Sequence, residues 1–249
     1  MVRSLQARLA ATLRRVRLML PLGMLAMAVL PVAGALAAET GVSGRVVGPD
    51  GKPVAAAIVF VQAAPSDADA ERVRGDRSAR IDGQSGRVAM DQVDKAFVPA
   101  VLPVVVGTEV RFPNHDQIHH HVYSFSRTKT FELPLYKGQD AQPVLFDKAG
   151  VVKIGCNIHD WMSAVILVLP NEHFAVTDSD GRFTLENLPA GKHTLAAWHE
   201  RSRTKVDETL QAVSVGSAAT AATGAGIHFT LSLAPARTRP AIRGSRNDT

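Results

Sequence analysis

Cysteine occurs once in the 249 residues, at Cys156, and aromatic side chains make up only 5% of the chain. One thiol cannot close an intramolecular disulfide, so a disulfide-stapled scaffold is excluded, and so few aromatics leave a core built mainly from aliphatic side chains. Beyond residue 36 no apolar run is long enough to span a bilayer. Charge of one sign is also missing once the N-terminal segment is set aside. Residues 1–17 hold Arg3, Arg8, Arg14, Arg15 and Arg17 and no acidic residue, five of the 28 Lys and Arg and none of the 23 Asp and Glu, which leaves 23 of each in the remainder. A formally neutral remainder removes the case for nucleic-acid binding that the basic whole-chain composition suggests.

That N-terminal segment continues as an apolar run from Leu18 to Leu36, broken by Pro21 and Pro31 and ending in Ala35-Leu36-Ala37. It reads as a secretory signal peptide over 1–37, cut near Ala37 or Ala38, with an uncleaved anchor as the alternative. The expected location is periplasmic or otherwise exported, with no stable membrane insertion after cleavage. In an oxidising compartment a free thiol is open to oxidation, so Cys156 calls for a reason to be there, and metal ligation is one.

About 210 residues remain, enough for one large or two small domains. They read as strands almost throughout: Gly44 to Val47, Ala57 to Val61, Val88 to Val93, Leu102 to Val106, Glu109 to Phe112, His120 to Phe125, Val144 to Phe146, Val151 to Ile154 and Ala164 to Leu169. A second set follows Pro170, at Arg182 to Leu185, His193 to Trp198, Leu210 to Val215 and Ile227 to Leu233. Residues 64–86 are polar and aperiodic, a loop with room for a short helix near Ala68 to Arg74; Gly216 to Gly226 is a small-residue linker. The tail, 234–249, carries Arg237, Arg239, Arg243 and Arg246 with Pro235 and Pro240 and reads as disordered. Short, closely spaced strands predict an antiparallel sandwich or barrel, an all-β fold.

The chemistry concentrates in Gly155-Cys156-Asn157-Ile158-His159-Asp160-Trp161-Met162. A thiol, an imidazole and a thioether offered by one loop are three of the four ligands of a type 1 copper ion, which takes two imidazoles and a thiolate in a plane and a weak axial thioether. Lone cysteines and methionines are more often apolar fillers, but Asn157, His159 and Asp160 interrupt any apolar strand here. The missing imidazole would come from Phe112 to Val122, a segment between two predicted strands that holds His115, His119, His120 and His121.

Over residues 88 to 170 these motifs resemble the cupredoxins, in particular plastocyanin, amicyanin and the plastocyanin-like proteins often labelled methylamine utilisation proteins. The family loop Asn-x-Asp-x-x-x-His-x-Val is matched by Asn114, Asp116, His120 and Val122, and the short Cys-x-x-His followed by Met by Cys156, His159 and Met162. The resemblance implies one type 1 copper ion held by His120, Cys156, His159 and Met162. His121 and His119 are the alternatives to His120, because the family often has Asn or Thr where His121 stands. His115 reads as an exposed loop residue, and Trp161 as either a core ring or the border of an apolar patch around His159.

Residues 41–61 and 175–199 each resemble half of a carboxypeptidase regulatory-like, transthyretin-like sandwich, through Gly44-Arg45-Val46 and Asp50-Gly51-Lys52-Pro53-Val54 in the first and Asp180-Gly181-Arg182-Phe183 and Leu188-Pro189-Ala190-Gly191 in the second. The expected fold is thus a cupredoxin Greek-key β-sandwich or barrel, 87–170, packed with or inserted into a second small sandwich, 41–63 plus 171–233. Two modules in sequence are the alternative.

Four ligands leave no open position for a substrate, so the expected function is one-electron transport rather than enzyme catalysis. A transient redox partner is implied, whether cytochrome, dehydrogenase or oxidase. The alternative, favoured by the extra histidines, is copper storage, delivery or resistance.

Overall fold

The computed structural model describes residues 41–62, 88–138, 141–216 and 226–236. The expected signal peptide, the polar loop, most of the small-residue linker and all but the first residues of the tail lie outside these. Among the described residues sixteen strands are present: β1 (Val42–Val47), β2 (Ile58–Val61), β3 (Asp91–Val93), β4 (Ala96–Val98), β5 (Val101–Val105), β6 (Thr108–Val110), β7 (His120–Ser126), β8 (Lys129–Tyr136), β9 (Val144–Phe146), β10 (Gly150–Gly155), β11 (Ser163–Leu169), β12 (Phe174–Val176), β13 (Arg182–Leu185), β14 (Gly191–Trp198), β15 (Gln211–Val215) and β16 (Ile227–Thr230). A single 3₁₀ turn, Val206–Thr209, is the one helical element among the described residues. No helix there is long and apolar enough to cross a membrane.

A five-stranded sheet, β5-β11-β10-β7-β8, carries the candidate site. One face meets the β3-β4 and β6-β9 ladders across a buried cluster that includes Phe97, Phe112, Val122, Phe146, Val152, Ile154 and Ile166. The ladders supply the second wall of a sandwich. The strands alternate as the pleat requires: Ala164, Ile166 and Val168 of β11 face this core, and Leu167 and Leu169 face the other way.

The second layer pair is β13-β1-β16 over β12-β2-β14-β15. Between them lie Val42, Val46, Val59, Val61, Phe183, Leu185, Leu195, Ala197 and Phe229. In it β1 pairs with β13 and β16, and β2 pairs with β12 and β14, so segments on both sides of residues 88–170 share these two sheets. The outer face of β2 and β14, with Ile58, Phe60 and Ala196, packs on Leu167 and Leu169 of β11. Both β2 and β11 therefore have two apolar surroundings, which is why each reads as a continuous apolar run instead of an alternating one.

An antiparallel arrangement is the expectation, and two pairings depart from it: β5 lies parallel to β11, and β1 parallel to β16. Parallel neighbours cannot be joined by a tight turn. Each of these pairs is separated by many intervening strands, which is what makes the parallel register possible.

Candidate metal centre

The sequence places His120 at the first residue of β7 and Cys156 immediately after the last residue of β10, and the register brings the two strands together through Gly155 opposite Tyr123. Cys156 follows Ile154 on the core face and is 3% exposed. From there the chain turns through 157–161 and enters β11. The turn closes on itself: the amide of Cys156 donates to the Met162 carbonyl at 3.1 Å, and the amide of Met162 to the His159 carbonyl at 2.9 Å. Met162 is fully buried in the same cluster as Cys156.

The Sγ of Cys156 lies 3.8 Å from Nδ1 of His120 and 3.7 Å from Nδ1 of His159. Among the described residues these three form a group whose ligand atoms all lie within 4.8 Å of one another. Metal–nitrogen and metal–sulfur bonds of about 2.0 and 2.3 Å set a thiolate and an imidazole roughly 3.7 Å apart in a trigonal plane. The spacing present is thus the size of one ion. The donor set fits a soft or borderline transition metal ion and suits Ca²⁺ or Mg²⁺ poorly.

Of the neighbouring histidines, none joins this group. His119 is exposed. His121 points to the opposite side of β7, where its Nε2 lies 2.8 Å from Oε1 of Glu132 while its Nδ1 is buried without a hydrogen-bond partner. His115 pairs with Asp91 at 2.7 Å.

His120 is oriented from behind. Its Nε2 lies 2.7 Å from Oδ2 of Asp116, and because a carboxylate only accepts, the ring proton sits on Nε2 and the Nδ1 lone pair faces Cys156. The same carboxylate accepts from the amides of Asp94 at 2.7 Å and Lys95 at 2.8 Å. Those two residues form the β3–β4 turn with φ of +52° and +58°, the paired left-handed conformation of a tight hairpin. Burial pushes the Asp116 carboxyl up, but the bonds from the Lys95 amide, the His120 ring and the Asp94 amide outweigh it and hold it below the ordinary value. Asn114 fixes the loop: its Oδ1 accepts from the Asp116 amide, and its Nδ2 donates to the carbonyls of Ile118 and Tyr136, each at 3.0 Å. Gln92 and Tyr136 close the far side, Gln92 Nε2 donating to the Tyr136 hydroxyl and that hydroxyl to the Phe112 carbonyl at 2.6 Å. Burial drives the Tyr136 phenol up to about 12, so it is a donor at any ordinary pH.

On the solvent side His159 is half-buried, with its ring 5.0 Å from that of His120 and 5.4 Å from that of Trp161. Burial first, then the electrostatic influence of the neighbouring His120 and Lys95, hold His159 below the usual histidine range, against an upward pull from Asp116. A neutral ring is the form that can ligate. Trp161 and Ile158 are each 48% exposed, so the loop presents apolar surface beside His159.

Sequence reasoning singles out Asn114 and Asp116 as motif positions but misses the part played by Gln92 and Tyr136. Gln92 lies in a strand more than 20 residues before the loop, and no local spacing marks it.

No family model matches the chain, and no curated protein matches it. Among solved structures it is similar to the reduced Cu(I) form, at pH 4, of a proline-to-glycine variant of amicyanin, at 22% identity over 37% of this chain and 89% of that one, with a TM-score of 0.32. It is also similar to a purple cupredoxin from Nitrosopumilus maritimus, at 23% identity over 34% of this chain and 100% of that one, with a TM-score of 0.30. Likenesses of this size carry no argument by themselves. The donor geometry does.

Proposed function

We propose that this chain is a type 1 copper protein, exported from the cytoplasm, that carries single electrons between redox proteins. The observation that carries the reading is the buried thiol set 3.7–3.8 Å from two imidazole nitrogens, with one of those rings pinned by a carboxylate. Copper bound there would supply a reversible one-electron couple. His120, Cys156 and His159 would hold it, and Met162 is the candidate for the weak axial contact. The chain's own part is to keep that set rigid. Cys156 and Met162 are tied by backbone bonds within a single turn, Asp116 fixes the tautomer of His120, and β10, β7 and β11 fix the turn's two ends. A scaffold that does not move between oxidation states keeps reorganisation small. His159, half-buried and flanked by Trp161 and Ile158, gives a redox partner a short approach through a small, transient contact of the kind weak redox encounters use. We read residues 41–63 with 171–233 as one discontinuous regulatory-like sandwich without catalysis, supported by the pairing of β1 with β13 and β2 with β12.

The test is the visible and EPR spectrum of the protein expressed without residues 1–37, titrated with Cu(II) and then a reductant. An intense thiolate-to-copper band that bleaches and returns supports the carrier. A colourless protein that binds Cu(I) would point to copper handling, and one that binds no copper would overturn both.

A further inference from the structure

Gln92 stands in β3, fully buried, and reaches both ends of the segment that carries His120. Its Nε2 lies 3.2 Å from the Phe112 carbonyl and 3.2 Å from the Pro113 carbonyl, and also donates to the Tyr136 hydroxyl. Two of these partners are carbonyls, which only accept, so the amide nitrogen and not the oxygen must point at them. Phe112 and Pro113 open the segment; Tyr136 is the residue opposite His120 across the β7–β8 ladder, where the segment ends. The backbone of Gln92 adds to the hold. Its carbonyl accepts from the His115 amide at 3.0 Å, and its amide is shared between the Pro113 carbonyl at 3.1 Å and the Asp91 carboxylate at 2.7 Å. At the tip of the side chain Oε1 is buried and accepts from no described residue. An unpaired buried carbonyl is destabilising, so an apolar side chain would fill this space better. What glutamine brings to the position is its donor end.

We infer that Gln92 is a positioning residue for His120: it ties the start of the segment bearing that ring to the strand opposite its end, and so presets the ring before a metal arrives. It acts through the segment and through Tyr136. Its effect on a bound ion rests on the copper reading; the presetting does not, because it belongs to the metal-free chain.

The experiment compares the full chain with Gln92→Met, which keeps an unbranched side chain of similar length and removes the donors. In the metal-free protein, amide hydrogen exchange followed by NMR should be about tenfold faster at Asp94, Lys95, His115 and Asp116 than in wild type, with Leu195 and Ala197 in the other core unchanged. Tyr136→Phe removes the hydroxyl that links Gln92 to the strand opposite His120 and should act in the same direction. With Cu(II), competition against a chelator should show affinity lower by about tenfold in Gln92→Met, and the copper hyperfine splitting in the EPR spectrum should change. Leu195→Ala, which loosens the other core, should alter neither these four amides nor the copper signal. Wild-type exchange at the four amides in both Gln92→Met and Tyr136→Phe overturns the inference whatever copper does, as does equal acceleration in Leu195→Ala. Faster exchange with affinity and splitting unchanged makes Gln92 merely structural and overturns it too. Faster exchange in a protein whose wild type binds no Cu(II) overturns the copper reading and supports the presetting.

Discussion

Asp116 and His120 are four residues apart and share a 2.7 Å contact between carboxylate and ring, and the same carboxylate holds both amides of the β3–β4 turn. Asp116→Asn replaces an acceptor of three donors by a group that can accept with only one atom. We expect copper affinity to fall by about 10- to 100-fold, the usual cost of losing a partner behind a ligand histidine. A competition titration against a chelator measures it; unchanged affinity would mean that His120 is held by its neighbours alone.

His120→Ala should abolish the intense visible band, and Cys156→Ser should abolish both the band and tight Cu(II) binding. His121→Ala should keep the band, since that ring sits against Glu132. Absorption spectra of the three variants decide it, and a band lost in His121→Ala but kept in His120→Ala would place the ligand one residue further on.

Met162→Leu keeps volume but removes the thioether. The protein should still bind copper and keep its colour, with the reduction potential moved upward because a donor that favours Cu(II) is gone. Voltammetry reads the shift; loss of the metal would show that Met162 is more than a weak axial contact.

Leu169→Ala removes a fully buried side chain between the two sandwiches. The expected cost is about 2–5 kcal/mol, measured by urea unfolding.

His199 is buried at the end of β14 and its Nδ1 accepts from the Arg201 amide at 3.0 Å. Burial first, then the charge of Arg201, lower its pKa from 6.5, against a pull upward from Glu200. The folded state therefore prefers the neutral ring: its contribution to stability is complete above the unfolded value near 6.5 and is lost as pH falls through the lower folded value. Wild type should lose more stability than His199→Gln between pH 7 and about 5, as urea midpoints would show; equal losses would remove His199 from the account.

Strands with a strong apolar signal are legible in the sequence: Val144 to Phe146 and Arg182 to Leu185 coincide with β9 and β13, and most others agree to within a residue or two. β8 is missed altogether. It is an edge strand of eight residues whose outward positions include Thr130 and Glu132, and Pro134 argues against a strand in a sequence read alone. β4 is missed because the turn before it uses Asp94 and Lys95 in the left-handed region, where glycine or asparagine is the usual cue. At the site, the grouping of His120 with Cys156 is legible only through a family likeness, since 36 residues separate them and register, not spacing, joins them. The Asp116 contact to the β3–β4 turn has no local signature.

β11 begins where the turn after Cys156 ends and has no solvent face along its second half, Ile166 and Val168 facing one core and Leu167 and Leu169 the other. Excising residues 88–170 to study the candidate metal centre alone would strip the far side of this strand, together with Val101 and Val151, and hand a sticky apolar plate to water. The centre is portable only with its neighbour attached.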